Sequence, residues 1–180
     1  MATTRPGKDA CDLLDADHKE VKKMFKDYEQ LTGSRARSAA QKKMDLAKQI
    51  CEALTVHAQI EEEIFYPAVR SAIKDTGLLD EAEVEHQSAK DLIAQIQSAS
   101  AADDKFDAKV KVLGEYIDHH VKEERTEMFP KARAARKLNL VAMREQLLAR
   151  KEELLNGSNA ADDAGVRDTA GVTADADMTA

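Results

Sequence analysis

Apolar residues recur every three or four positions along four long segments of the chain, and each of these stripes is broken by a single histidine. That spacing is the period of an α-helix with one face turned inward. The first stripe reads Leu14, His18, Val21, Phe25, Tyr28, and the second reads Ala47, Ile50, Leu54, His57, Glu61, Ile64, Ala68. The third reads Leu79, Ala82, His86, Ala89, Ile93, Ile96, and the fourth reads Phe106, Val110, Leu113, Ile117, His120, Glu124, Met128. The 180 residues include only 7 Gly and 3 Pro, the residues that most oppose helix. The pattern predicts helices over about 10–31, over 36–73 with a kink at Pro67, over 80–98, and from a cap at Asp103 or Asp104 to 134, past Pro130. A shorter helix capped by Asn139 runs to 155, and its apolar side (Leu140, Met143, Leu147, Leu154) suits a cap on the bundle better than a partner-binding surface. Short connections between long amphipathic helices favour an all-α fold, an antiparallel up-down-up-down four-helix bundle with a short fifth C-terminal helix.

The ends read differently. Residues 1–9 are expected to be flexible, residues 10–155 to form the domain, and residues 156–180 to be a disordered acidic tail with five aspartates against Arg167. No run approaches the roughly 20 apolar residues of a membrane span, and the N-terminus lacks the apolar stretch of a secretory signal. A net charge of −7 argues against a nucleic-acid surface. Cys11 and Cys51 form no CxxC and are expected to be inert, which suits a cytoplasmic protein. A self-contained core suits a monomer.

The polar residues inside the stripes carry the chemistry. Four residues advance a helix by about 6 Å and return to the same face. His57 with Glu61, and His120 with Glu124, therefore each converge on one point. A buried carboxylate is costly unless it is paired or bound to a cation, and no Lys or Arg lies in these stripes. Four of the five histidines occupy them, so a shared metal site explains the pattern better than four separate core histidines.

The chain also repeats itself. HAQIEEEIFYP from His57 and HVKEERTEMFP from His120 each place Glu at the fifth position and Pro at the eleventh, after an aromatic residue. Two helix pairs, each giving His and then His-x-x-x-Glu, would bring two metal ions together about a pseudo-twofold axis, with Glu61 and Glu124 as bridges. The repeat and the stripe both select His120 over His119, which is expected at the bundle edge or behind the site. Tyr116, one turn before His120, reads as a core tyrosine or an additional ligand. Glu62 and Glu63 are expected to be solvated, and Phe25, Phe65 and Phe129 to dry the core below the metals.

The pattern His18 … His57-x-x-x-Glu61 … His86 … His120-x-x-x-Glu124 resembles the hemerythrin-like (HHE cation-binding) domain, as do the phrases LLDADHKEV, EVEHQSAKDLI and HHVKEERTEMFP. The resemblance covers about residues 10–155. It implies a four-helix bundle holding two non-haem iron ions, oxo- or hydroxo-bridged, with His18, His57, His86 and His120 as terminal ligands and Glu61 and Glu124 as bridging carboxylates. It further implies small oxidants as ligands: dioxygen, peroxide or nitric oxide. One departure stands out: oxygen carriers of the family are similar but place a histidine one turn after the third-helix ligand, where this chain has Lys90. Fewer imidazoles leave more open positions, which favours reaction over reversible carriage. The alternatives are catalase-like peroxide disproportionation, a redox or oxygen sensor acting through a partner, a zinc or manganese site, and a metal-free structural bundle.

Overall fold

The computed structural model describes residues 9–34, 38–74, 76–100 and 103–167, with side chains as far as Gly157. Helix α1 (Ala10–Thr32) begins with a capping box: the Asp9 carboxylate accepts the Asp12 N–H at 2.9 Å, and the Asp12 carboxylate accepts the Asp9 N–H at 3.0 Å. Arg133 then clamps both carboxylates at 2.8–3.1 Å. Asp9, expected within a flexible terminus, is thus the fixed start of the bundle, and residues 1–8 lie outside the described residues.

Helix α2 (Ala39–Ile60) passes through a five-residue π-helical turn (Glu61–Phe65) into α3 (Tyr66–Ala72). After α4 (Gly77–Gln97), the same construction recurs in the second half: α5 (Phe106–Glu123), a π-helical turn (Glu124–Met128) and α6 (Phe129–Ala134). At the kink expected around Pro67 the helix widens into this turn. Proline has no N–H and its ring crowds the carbonyl four residues back. A π turn, closed by Tyr66 N–H to Glu61 C=O and by Phe129 N–H to Glu124 C=O, absorbs the misfit just ahead of Pro67 and of Pro130. Asp103 does not cap α5 itself; it accepts the Lys105 N–H at 2.8 Å in the turn before Phe106. The expected start of α2 at Ala36 lies outside the described residues.

Helix α1 packs on α2 and α5, and α4 packs on the same two, so sequential helices are neighbours in a ring. Among the described residues there is no strand. The fifth rod, α7 (Leu140–Arg167), starts where Asn139 Oδ1 accepts the Ala142 N–H at 3.0 Å, and it continues past the expected end at Leu155. It lies over α1 and α2 as the expected cap, burying Met143 and Leu147. Residues 168–180 lie outside the described residues.

The core is two apolar clusters separated by a polar layer. One contains Leu14, Ile60, Phe65, Leu79, Met128, Phe129 and Leu147, and the other Val21, Ile50, Leu54, Ile93, Val110 and Leu113. His18, His57, Glu61, His86, His120 and Glu124 lie buried between them. Phe65 and Phe129 pack edge to face at 5.8 Å in the first cluster, as expected. Phe25 does not join them. It packs in the second cluster beside Gly114, where an added Cβ would stand 3.2 Å from its ring. Cys11 and Cys51 are buried in opposite clusters as free thiols. Burial, reinforced by the nearby Asp9 carboxylate, pushes the Cys11 thiol up to about 12. Leu147→Ala is expected to destabilise the chain by about 2–5 kcal/mol, since the side chain is fully buried. Urea unfolding followed by circular dichroism checks this, and a loss below about 1 kcal/mol would mean that the α7 seat collapses without a cavity.

Candidate metal centre

The four histidines come from four different helices, and their Nε2 atoms point at one another. His18 Nε2 lies 2.9 Å from His57 Nε2, and His86 Nε2 lies 3.1 Å from His120 Nε2. Glu61 reaches both pairs: Oε1 lies 3.2 Å from His57 Nε2, and Oε2 lies 3.4 Å from His86 Nε2. Glu124 Oε2 lies 3.2 Å from His18 Nε2 and 3.7 Å from His120 Nε2. Both carboxylates are essentially inaccessible to solvent.

Carboxylates behind the imidazoles orient them. His86 Nδ1 sits 2.9 Å from Glu62, His120 Nδ1 sits 2.8 Å from Glu85, and His57 Nδ1 sits 3.5 Å from Asp17. An Nδ1–H given to a carboxylate leaves the Nε2 lone pair facing inward, the form a metal requires. Each carboxylate has a further cationic or basic neighbour: Lys90 at 2.6 Å from Glu62, Lys151 at 2.7 Å from Asp17, and His119 at 3.4 Å from Glu85. His18 is the exception. Its Nδ1 has no hydrogen-bond partner among the described residues, and its ring stacks on Phe129 at 6.0 Å.

This arrangement demands positive charge at its centre. Lone pairs that meet at 2.9–3.1 Å repel unless a proton or cation lies between them. Glu61 Oε1 and Glu124 Oε2 are buried without hydrogen-bond partners among the described residues, although an imidazole nitrogen stands 3.2 Å from each. The donor atoms form two groups within 4.8 Å, His18–His57–Glu61–Glu124 and Glu61–His86–His120, which share Glu61. The donor set, imidazole and carboxylate, suits a divalent or trivalent transition metal. Without one, protons must serve. Burial opposes charging His57, but Glu61 and Asp17 outweigh it and raise the imidazole to about 10. Burial likewise opposes charging His120, while Glu124 and Glu85 bring it to about 9. Burial would raise Glu61, yet His57 and His86 hold it well below the ordinary carboxylate value.

Tyr66 is the residue that sequence reasoning missed. Its hydroxyl donates to Glu124 Oε1 at 3.0 Å and lies 3.1 Å from His86 Nε2, 3.3 Å from His120 Nε2 and 3.4 Å from Glu61 Oε2. Burial, with Glu124 and Glu61 close by, pushes it well above the ordinary phenol value, so it stays protonated. The repeat carried the signal, since aligning the two prolines sets Tyr66 opposite Phe129. Tyr116 is 48% exposed and joins neither core nor site. Glu62 is engaged by His86 and Lys90, and Glu63 pairs with Arg150 of α7 at 2.7 Å, so neither is simply solvated. His119 stands at the bundle edge, 61% exposed, behind Glu85.

The chain matches the hemerythrin HHE cation binding domain over residues 9–132. A DNA nickase of Nostoc sp. (strain PCC 7120 / SAG 25.82 / UTEX 2576) is 31% identical over 118 residues, which are 66% of this chain and 32% of that protein. The chain thus aligns with about a third of that relative's length. The crystal structure of a hemerythrin HHE cation binding domain-containing protein from Mycobacterium kansasii matches with a TM-score of 0.68 at 19% identity, covering 84% of this chain and 90% of that one, a likeness of fold.

The titrating groups give a signed pH dependence. In the metal-free chain the raised His57 and His120 contribute stability that is fully present below about 6.5 and is lost as pH rises through about 9 and 10. The depressed Glu61 contributes stability present above 4.5 and lost as acid titrates it. The melting temperature in chelator is therefore expected to fall from pH 6.5 to 10, and a rise would overturn the protonated layer. Metal affinity should move the other way, strengthening about tenfold per pH unit for each proton displaced, as competitive chelation would measure.

Proposed function

The chain belongs to the hemerythrin HHE cation-binding family, and from that premise we infer that it binds a pair of non-haem iron ions and meets small oxidants with them: dioxygen, peroxide or nitric oxide. His18, His57, His86 and His120, with Glu61 and Glu124, would hold the irons. The observation that carries this reading is the sharing of Glu61 between two buried donor groups. Iron, when bound, supplies the electrons and the open coordination positions that such ligands need.

The residues around the layer serve the same end. A cavity of about 30 Å³ lies against the imidazoles, lined by Val21, Leu54, Ala89, Ile93 and Ile117. One water needs roughly 10–15 Å³ of such space, so the cavity has room for one or two molecules of that size, which suits a diatomic ligand or peroxide rather than a metabolite. The two apolar clusters exclude bulk water from the layer and limit leakage of a bound oxidant. Tyr66 holds a proton at Oη, 3.0 Å from Glu124 Oε1 and 3.1 Å from His86 Nε2, among the donor atoms themselves. Lys90, where oxygen carriers have an imidazole, holds Glu62 and through it His86.

A second reading, disproportionation of peroxide to water and dioxygen, is favoured by the Tyr66 proton. The curated nickase relative extends well beyond the matched stretch, and a net charge of −7 disfavours a DNA surface, so nicking is not carried over. No helix among the described residues is long and apolar enough to cross a membrane.

Elemental analysis after anaerobic iron loading, followed by optical spectra on adding air or peroxide, tests the reading. Two irons per chain with bands that respond are expected, and His57→Ala should lose iron. Unchanged iron content in that variant would overturn the ligand assignment. An oxygen electrode separates the two readings, since only turnover releases dioxygen from peroxide. If turnover occurs, Tyr66→Phe should keep its iron and lose about 10²-fold in rate.

A further inference from the structure

His119 and Glu123 repeat, one residue earlier, the spacing of His120 and Glu124. One residue turns a helix by about 100°, so the same motif faces the core in one register and the bundle edge in the other. The outward pair is in place: His119 Nε2 lies 3.4 Å from Glu123 Oε1. Helix α4 closes the group, because Glu85 Oε1 lies 3.4 Å from the same nitrogen. The donor atoms of Glu85, His119 and Glu123 all fall within 4.8 Å of one another. These residues are none of the six in the buried layer.

A second observation ties this trio to the interior. Glu85 divides its two oxygens, with Oε1 toward His119 and Oε2 at 2.8 Å from His120 Nδ1. In the equivalent positions behind His57 and His86, the outer neighbour of the carboxylate is a lysine, Lys151 or Lys90, which neutralises the carboxylate but cannot join it around an ion while charged. Behind His120 alone the outer neighbour is an imidazole, a metal ligand, and it brings a second carboxylate with it.

We propose that Glu85, His119 and Glu123 form an outer binding site for a divalent transition-metal ion, such as zinc or ferrous iron, at the bundle surface next to the buried centre. One imidazole and two carboxylates are three protein ligands of the kind zinc accepts, with solvent completing the shell. The site is half open, so its ion exchanges readily, and through Glu85 it adjoins His120. The proposal rests on the metal-centre reading for its meaning but not for its ligands.

Equilibrium dialysis of the full chain against zinc, with free metal held constant, tests it. The wild-type chain is expected to retain one more zinc ion than His119→Ala and than Glu123→Gln, whose circular dichroism and melting should be unchanged because His119 is exposed and the Glu123 replacement keeps its shape. Equal zinc counts in the wild type and in folded His119→Ala would overturn the proposal. The difference is independent of the buried layer. If the inner residues bound nothing, the wild type would still hold the outer ion and His119→Ala would lose it.

Discussion

Two buried carboxylates and four inward-facing imidazoles make the centre of this bundle a place that must hold positive charge. Everything near it is arranged around that demand. The apolar core is split into two clusters rather than one, because the layer occupies the middle of all four helices. The outer nitrogens of three imidazoles are taken up by carboxylates, so that the inner nitrogens offer lone pairs. A bundle built for stability alone would fill this layer with leucine, since a buried charged cluster seldom stabilises a fold beyond what apolar packing supplies. The layer is retained for what it binds.

The π turns determine which side chains complete the layer. Tyr66 is nine residues after His57, and at about 100° per residue a regular helix would place it on the opposite face. The wide turn from Glu61 to Phe65 absorbs about one residue of rotation and brings Tyr66 back toward the imidazoles. The turn from Glu124 to Met128 does the same for Phe129, which lands on His18 instead. One backbone device, used twice, thus sets a phenol in one half of the site and a phenyl in the other. The repeat in the sequence is symmetric, and the chemistry it builds is not.

That device also explains what the sequence could and could not tell. The six inward His and Glu residues were legible because helical period alone places them on one stripe per helix. Asn139 as a cap and α7 as a cover were legible from local spacing. Tyr66 was not, because a regular period misplaces it, and the proline that marks the π turn reads equally well as a kink. Glu62, Glu85 and Asp17 were not, because each acts on a histidine of a different helix, and charge on a solvated face looks the same whether or not it reaches across. Phe25 follows His18 at a spacing close to that of Phe65 after His57 and Phe129 after His120, which suggests the same end of the bundle, but α1 has no π turn and Phe25 falls in the other cluster.

The outer carboxylates also change the meaning of elements that look peripheral. Helix α7 covers the bundle with Met143 and Leu147, but it also sends Lys151 to Asp17, and Asp17 faces His57. Arg150 of the same helix grips Glu63 inside the first π turn. The position of α7 is therefore coupled to the orientation of one imidazole and to the turn that aims Tyr66. On the other side of the layer, α4 carries both His86 and Glu85, the latter set behind His120. His18 has no such support beyond the stacked Phe129. On their outer nitrogens three imidazoles are held by carboxylates, whereas His18, which meets Glu124 and His57 through Nε2, has the Phe129 ring in place of a carboxylate behind it.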